Sequence, residues 1–262
     1  MIDEVAGACF AAYIANTWGS PVSITVERGG QALPVDQFAR VPQGQGQSLT
    51  YAPLTGGMLQ PGQVAILFLA QSMNTACPSG ITPAVTGTPA YVRGTATGTA
   101  FHILTSAPTV AYDIFPYGGG QSAATSATLL LPTSAWDTNY VGVDAYQQSQ
   151  IASFAGAEPF IDLVGMTDGT NVTVRPTVAI DGGTGVAAAA QGQNTTYTLS
   201  KGEVLQFEQA SELIGSPITA DQPIGVWGGA SCLNIPINEA ACDSAHQQIP
   251  PVKAMGNRYA AV

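Results

Sequence analysis

Lysine is almost missing from this 262-residue chain. Only Lys201 and Lys253 occur, and Lys plus Arg number 7 against 17 Asp plus Glu, for a formal net charge of −10. A polyphosphate partner needs clustered cations, so nucleic acid is excluded as a partner. The same balance opposes attraction to an anionic lipid surface. Charge of either sign is scarce: 9 % of residues carry it, where a soluble domain has about 25 %. Long apolar runs are also missing. The strongest, Val64-Ala65-Ile66-Leu67-Phe68-Leu69-Ala70, falls far short of the ~20 residues that cross a bilayer and reads as a buried strand. No membrane insertion is expected. Helical periodicity is absent, and Gly and Pro interrupt the chain too often for long helices. The opening Met1-Ile2-Asp3-Glu4 is acidic and no apolar segment follows, so an export signal is expected to lie outside this chain.

What replaces the charge is Thr, Ser, Gln, Asn and 30 Gly, beside 45 % hydrophobic residues. This is the profile of an extracellular β protein. Strand signals recur. Phe10 to Ala15 is apolar, Trp18-Gly19-Ser20-Pro21 reads as a turn, and Val22-Ser23-Ile24-Thr25-Val26 alternates with period two; together they predict a β-hairpin. Phe160-Ile161-Asp162-Leu163-Val164, Asp168-Gly169 and Asn171-Val172-Thr173-Val174-Arg175 predict a second. The polar stretch 181–196 reads as loop or hairpin tip.

Several blocks recur in one order. Pro61-Gly62-Gln63-Val64 matches Lys201-Gly202-Glu203-Val204. The stretch from Ile103 to Tyr112 matches that from Ile218 to Trp227, with small gaps. Pro132-Thr133-Ser134-Ala135-Trp136-Asp137-Thr138-Asn139-Tyr140 matches Pro251-Val252-Lys253-Ala254-Met255-Gly256-Asn257-Arg258-Tyr259. The expected architecture is all-β: two repeated antiparallel β units, 1–150 and 151–262, as tandem or fused β-sandwiches, with a propeller-like array of small sheets as the alternative. The second copy stops where the first runs on through Val141-Gly142-Val143, so it is read as truncated at its C-terminus, with an unpaired edge. Ile24, Val26, Ile66, Phe68, Leu130, Val172, Val174 and Val226 are the expected core.

Cys9, Cys77, Cys232 and Cys242 are the four cysteines. An even number in a low-charge β chain suggests an oxidising compartment. The short spacing favours pairing Cys232 with Cys242, which leaves Cys9 with Cys77; four free buried thiols are the alternative. No Cys-x-x-Cys or calcium-loop motif occurs, and no cofactor or metal is expected. Only His102 and His246 could serve a Ser-His-Asp triad, and no Gly-x-Ser-x-Gly elbow accompanies them. His246 reads as a loop histidine beside a disulfide, His102 as a polar residue at a sheet rim. No catalytic residue is assigned. Tyr112, Phe115, Tyr117 and Tyr146 fall near strand ends and loops. They are the candidate ligand-contact aromatics, weighed against the plainer reading that such rings fill or cover the core.

These blocks resemble the N-terminal IgGFc-binding domain family, whose bacterial members are exported. The resemblance is carried by Thr105-Ser106-Ala107-Pro108-Thr109-Val110-Ala111-Tyr112, by Leu130-Leu131-Pro132-Thr133-Ser134-Ala135-Trp136, and by Ile218-Thr219-Ala220-Asp221-Gln222-Pro223-Ile224. Its most specific part runs from Cys232 through Cys242-Asp243 to Gln247-Gln248-Ile249-Pro250-Pro251-Val252. It implies that Cys232 and Cys242 pair, and it brings no catalytic or metal site. The expected function is a non-catalytic adhesion module of a larger exported protein, extracellular or at the cell surface, binding an unknown protein or glycan. A purely structural matrix module and a carbohydrate-active enzyme are the alternatives.

Overall fold

The computed structural model describes residues 8–72, 77–87, 91–119, 125–145, 158–233 and 243–261. The fold is nearly all β. In the first half, β1 (Phe10–Ala15) is flanked on both edges by β7 (Val64–Gln71) and β11 (Val110–Phe115). Outside these lie β12 (Ser126–Leu129) beyond β11, and β4 (Ala39–Gln43) then β5 (Thr50–Pro53) beyond β7. A short β8 (Val85–Thr86) adds parallel to β7, making a seven-stranded sheet. A smaller sheet holds β2 (Val22–Arg28) between β10 (Phe101–Thr105) and β3 (Gln31–Leu33), with β6 (Met58–Leu59) on the start of β2. The two sheets share one core. Ala12, Ile14, Ala65, Leu67 and Leu69 from the larger meet Ile24 and Val26 from the smaller. The continuous apolar run of β7 follows from burial on both faces, for Ile66 and Phe68 point away into a second cluster.

In the second half, β14 (Pro159–Gly165) is flanked by β17 (Glu203–Glu208) and β18 (Pro217–Leu233). β15 (Thr170–Val174) pairs with β16 (Thr195–Leu199) and with the first part of β18. Ile161, Leu163, Val172, Val174, Leu199, Phe207 and Val226 join one core, so this eight-stranded sheet curls around it. β19 (Asp243–Gln248) lines the outer edge of β18. Two strands come from earlier in the chain. β9 (Ala96–Thr99) pairs with β17, and β13 (Asp137–Val141) pairs with the first part of β18.

Several pairings correspond between the two halves. β1 stands between β7 and β11 as β14 stands between β17 and β18. Ile24 opposes Thr105 as Val172 opposes Ala220, which sets Ile103 level with Ile218 and Leu104 with Thr219. Ala15 opposes Val64 and Val110 as Val164 opposes Val204 and Gly225, which sets Tyr112 level with Trp227. The Leu130 amide donates to the Ala111 carbonyl at 2.9 Å, and that of Ile249 to Val226 at 2.8 Å. A one-turn 3₁₀ segment follows each, Thr133–Ala135 and Val252–Ala254.

Three expectations need correction. The two predicted hairpins are arches: β1 and β2 lie in different sheets, and β14 and β15 are not paired to each other. The reason is that both edges of β1 and of β14 are already taken, so the next strand must cross to the other layer. Buried Asn16 holds the first crossing, its side-chain amide donating to the carbonyls of Ser20 and Leu59 at 3.0 Å each. His246 lies in strand β19 rather than a loop. The stretch 181–196 is polar on average but sends Val186 and Ala189 into the core. Of the expected core residues, Leu130 alone is only half-buried.

Candidate interaction surface

The candidate aromatics separate. Tyr117 belongs to the cluster on the outer face of the seven-stranded sheet. It stacks on Tyr13 at 6.2 Å, meets Phe68 edge-on at 5.0 Å, and shares a 2.7 Å hydroxyl–hydroxyl hydrogen bond with Tyr51. Burial holds its phenol well above the ordinary tyrosine value, with the bond to Tyr51 adding to the rise. Beneath lies the disulfide that joins Cys9 to Cys77. Phe115 is half-buried against Phe10 at 6.4 Å. Tyr112 is 44 % exposed. Tyr146, Cys242 and the side chain of Cys232 lie outside the described residues.

Tyr112 is one of a group. It opposes Leu129 on β12, and both are exposed. Val110, two residues earlier on the same face, is exposed as well. At the rim of the smaller sheet, Leu104 is 59 % exposed. It sits on β10, which pairs with β2 alone among the described residues. Exposed apolar side chains thus stand on both sheets, Leu104 on the open edge strand of the smaller one and Val110, Tyr112 and Leu129 on β11 and β12 of the larger one, a common mark of a contact surface. Leu104 and Leu129 were not singled out from sequence. A signal existed: their corresponding residues, Thr219 and Gln248, are polar.

Titratable groups gather elsewhere. His246 Nε2 lies 2.5 Å from Asp113 Oδ1, with both side chains nearly buried. Among the described residues no hydroxyl bonds the other ring nitrogen of His246, so the pair fastens β19 to β11 without a triad's third member. His102 is exposed and contacts Glu27 at 3.1 Å. Asp162 Oδ1 is buried without a partner, and burial, with the Glu208 charge second, lifts this carboxyl to about 8. The Glu208 carboxylate accepts the Gly94 amide at 2.6 Å. Asp144 is raised to about 6, chiefly by burial, while its Oδ2 accepts the Leu213 amide at 2.8 Å. Among the described residues no three His, Cys, Asp or Glu converge as a metal site. No helix there is long and apolar enough to cross a membrane.

Layered antiparallel sheets around shared cores and a buried disulfide define a nearly all-β, sandwich-like protein. The chain belongs to the IgGFc binding protein family, whose model matches residues 126–262. Comparison with curated proteins and with solved structures returns no match.

Proposed function

We propose that this chain is a non-catalytic protein-binding module of an exported protein, acting outside the cell or at its surface, and built from two copies of one β unit that interlock through β9 and β13. Family membership supports the binding role, and the Cys9–Cys77 disulfide supports an oxidising compartment. The observation that carries the reading is the exposure of four apolar side chains, Leu104 on the smaller sheet and Val110, Tyr112 and Leu129 on the larger. A protein surface suits it better than a glycan. Sugar recognition needs polar groups converging around an aromatic platform, whereas these side chains are aliphatic but for one tyrosine.

The test is surface plasmon resonance against immobilised immunoglobulin Fc, a panel of other secreted proteins and a glycan array. Saturable binding to a protein probe is expected, weakened about tenfold or more by Tyr112→Ser or Leu104→Lys. Binding to glycans alone, or to a protein with no sensitivity to either substitution, contradicts it.

A further inference from the structure

Strand β13 shows how one β unit grips the next, and both halves of that grip recur elsewhere without a strand partner among the described residues. The donor is a strand leaving the first half; the acceptor is the first part of β18, on the edge away from β15. The segment corresponding to β13 is 256–260. It is exposed, with Tyr259 79 % accessible. The edge corresponding to β18 is that of β10. Ile218, covered by β13, is 1 % exposed, whereas Ile103 at the matching place is only half-buried.

The residues at these open ends are complementary. In the formed junction Tyr140 opposes Ile218 and its hydroxyl donates to the Ile224 carbonyl at 2.7 Å. Tyr259 and Ile103 repeat this pair. The Tyr140 hydroxyl also accepts the Asp137 amide at 3.1 Å, and the Tyr259 hydroxyl likewise accepts the Gly256 amide at 2.7 Å; its own proton goes to the Gly256 carbonyl at 2.6 Å and turns to the acceptor strand only on docking. Trp136 packs edge-on against Trp227 at 5.8 Å, over Gly225, where an added Cβ would fall 2.7 Å from the Trp136 ring. At the open ends Met255 replaces Trp136 and Val110 replaces Gly225, so a smaller donor meets a larger acceptor. Leu131 donates its amide to Gln248 Oε1 at 2.6 Å. Pro250 and Leu129 take those places, so donor and acceptor vanish together and an apolar pair remains. One position limits the match. A Cβ on Gly228 would fall 1.7 Å from the Val143 carbonyl oxygen, which lies on β18 there. Asp113 occupies the corresponding place, so the added strand ends near Ala260.

We propose that residues 251–260 of one molecule add as a strand to the β10 edge of a second copy of this chain, repeating between molecules the junction that β13 makes within one. This rests on reading the exposed apolar side chains as a protein-binding surface and names its partner. Strand addition supplies main-chain hydrogen bonds, and the side-chain pairs set register. The contact joins unlike surfaces, so each added copy leaves a donor and an acceptor open, and growth continues unless a ring closes.

The experiment is light scattering and sedimentation equilibrium of the full chain from micromolar to near-millimolar concentration. The mass should rise above that of the monomer, to a dimer if two copies close on each other and further if they do not. The donor variant Met255→Ser/Tyr259→Ala and the acceptor variant Leu104→Lys, both at exposed sites and checked for unchanged thermal unfolding, should each be monomeric. Mixed in equal amounts they should form a one-to-one dimer and nothing larger, because only one junction can form. A monomer at every concentration, or a mixture that stays monomeric, would each overturn the proposal. If the wild type stays monomeric while Leu104→Lys still abolishes binding to an Fc or other protein probe, self-association fails and the broader protein-binding reading stands.

Discussion

Two edges of this molecule share a backbone plan and differ in what lies against them. Along the first part of β18, β13 covers Ile218 and buries Tyr140 to 3 % exposure. Along β10 no described strand does so, and Leu104 stands in solvent, as do Tyr112 and Leu129 on β11 and β12. The difference lies in partners rather than in fold. The covered edge tolerates polar or absent side chains at the rim, Thr219 and Gly225, because a strand completes it. The open edge carries Leu104 and Val110 at those places, which raises its apolar area without a partner inside the described chain.

The comparison can be broken most severely at the aromatic anchors. Tyr140→Ala should cost about 3–4 kcal/mol by urea unfolding, through lost packing and the lost bond to the Ile224 carbonyl. Tyr259→Ala in dilute protein should change stability by less than about 0.5 kcal/mol. Equal costs would show that the two tyrosines are not placed as described. Next in size is the disulfide. Replacing Cys9 and Cys77 by Ala should destabilise the first half by about 2–4 kcal/mol, with amide exchange accelerating in β1 and β7 while β14 and β17 keep their protection. Loss of protection in both would mean that the halves unfold as one.

A third difference concerns pH. Tyr13 and Asp162 occupy corresponding positions on β1 and β14. The Asp162 carboxyl is raised to about 8, against about 4 in an unfolded chain. The folded protein therefore holds a proton that the unfolded chain releases. This group's contribution is full below pH about 4 and is lost as pH rises through about 8. Asp162→Asn should flatten that decline and stabilise the protein at neutral pH, on the order of 1–3 kcal/mol, with little effect near pH 4. A wild-type stability that rises from pH 4 to pH 8, or a variant that follows the wild type throughout, would contradict this. The smallest effect is expected from Leu104→Lys in dilute protein. An exposed rim residue should leave thermal unfolding within about 0.5 kcal/mol of wild type.

Much of the fold was legible because alternation is a direct record of a pleated strand with one face buried. Val22, Ile24 and Val26 showed it, and so did Val172 and Val174. The partner of each strand was not legible. A turn such as Trp18-Gly19-Ser20-Pro21 serves a hairpin or an arch equally well, and the choice depends on whether β1 already has both edges occupied by strands 50 to 100 residues away in sequence. His246 was misplaced for the same reason: its strand is defined by distant β18 and by Asp113. Among the exposed apolar side chains, Tyr112 was visible as an aromatic near a strand end. Leu104 and Leu129 were hidden because one apolar residue in an alternating strand looks like core. Tyr117, chosen with Tyr112, proved to be a packing residue, since its neighbours Tyr51 and Phe68 arrive from other strands.

The most direct test of the claim that one edge is sealed and its counterpart is open is amide hydrogen exchange, read at residues 101–105 and 217–220 over a range of protein concentration. In dilute solution the β18 segment should exchange far more slowly than the β10 segment, and β10 should gain protection as concentration rises. A β10 segment as protected as β18 at high dilution, or one that stays open at every concentration, would contradict the account.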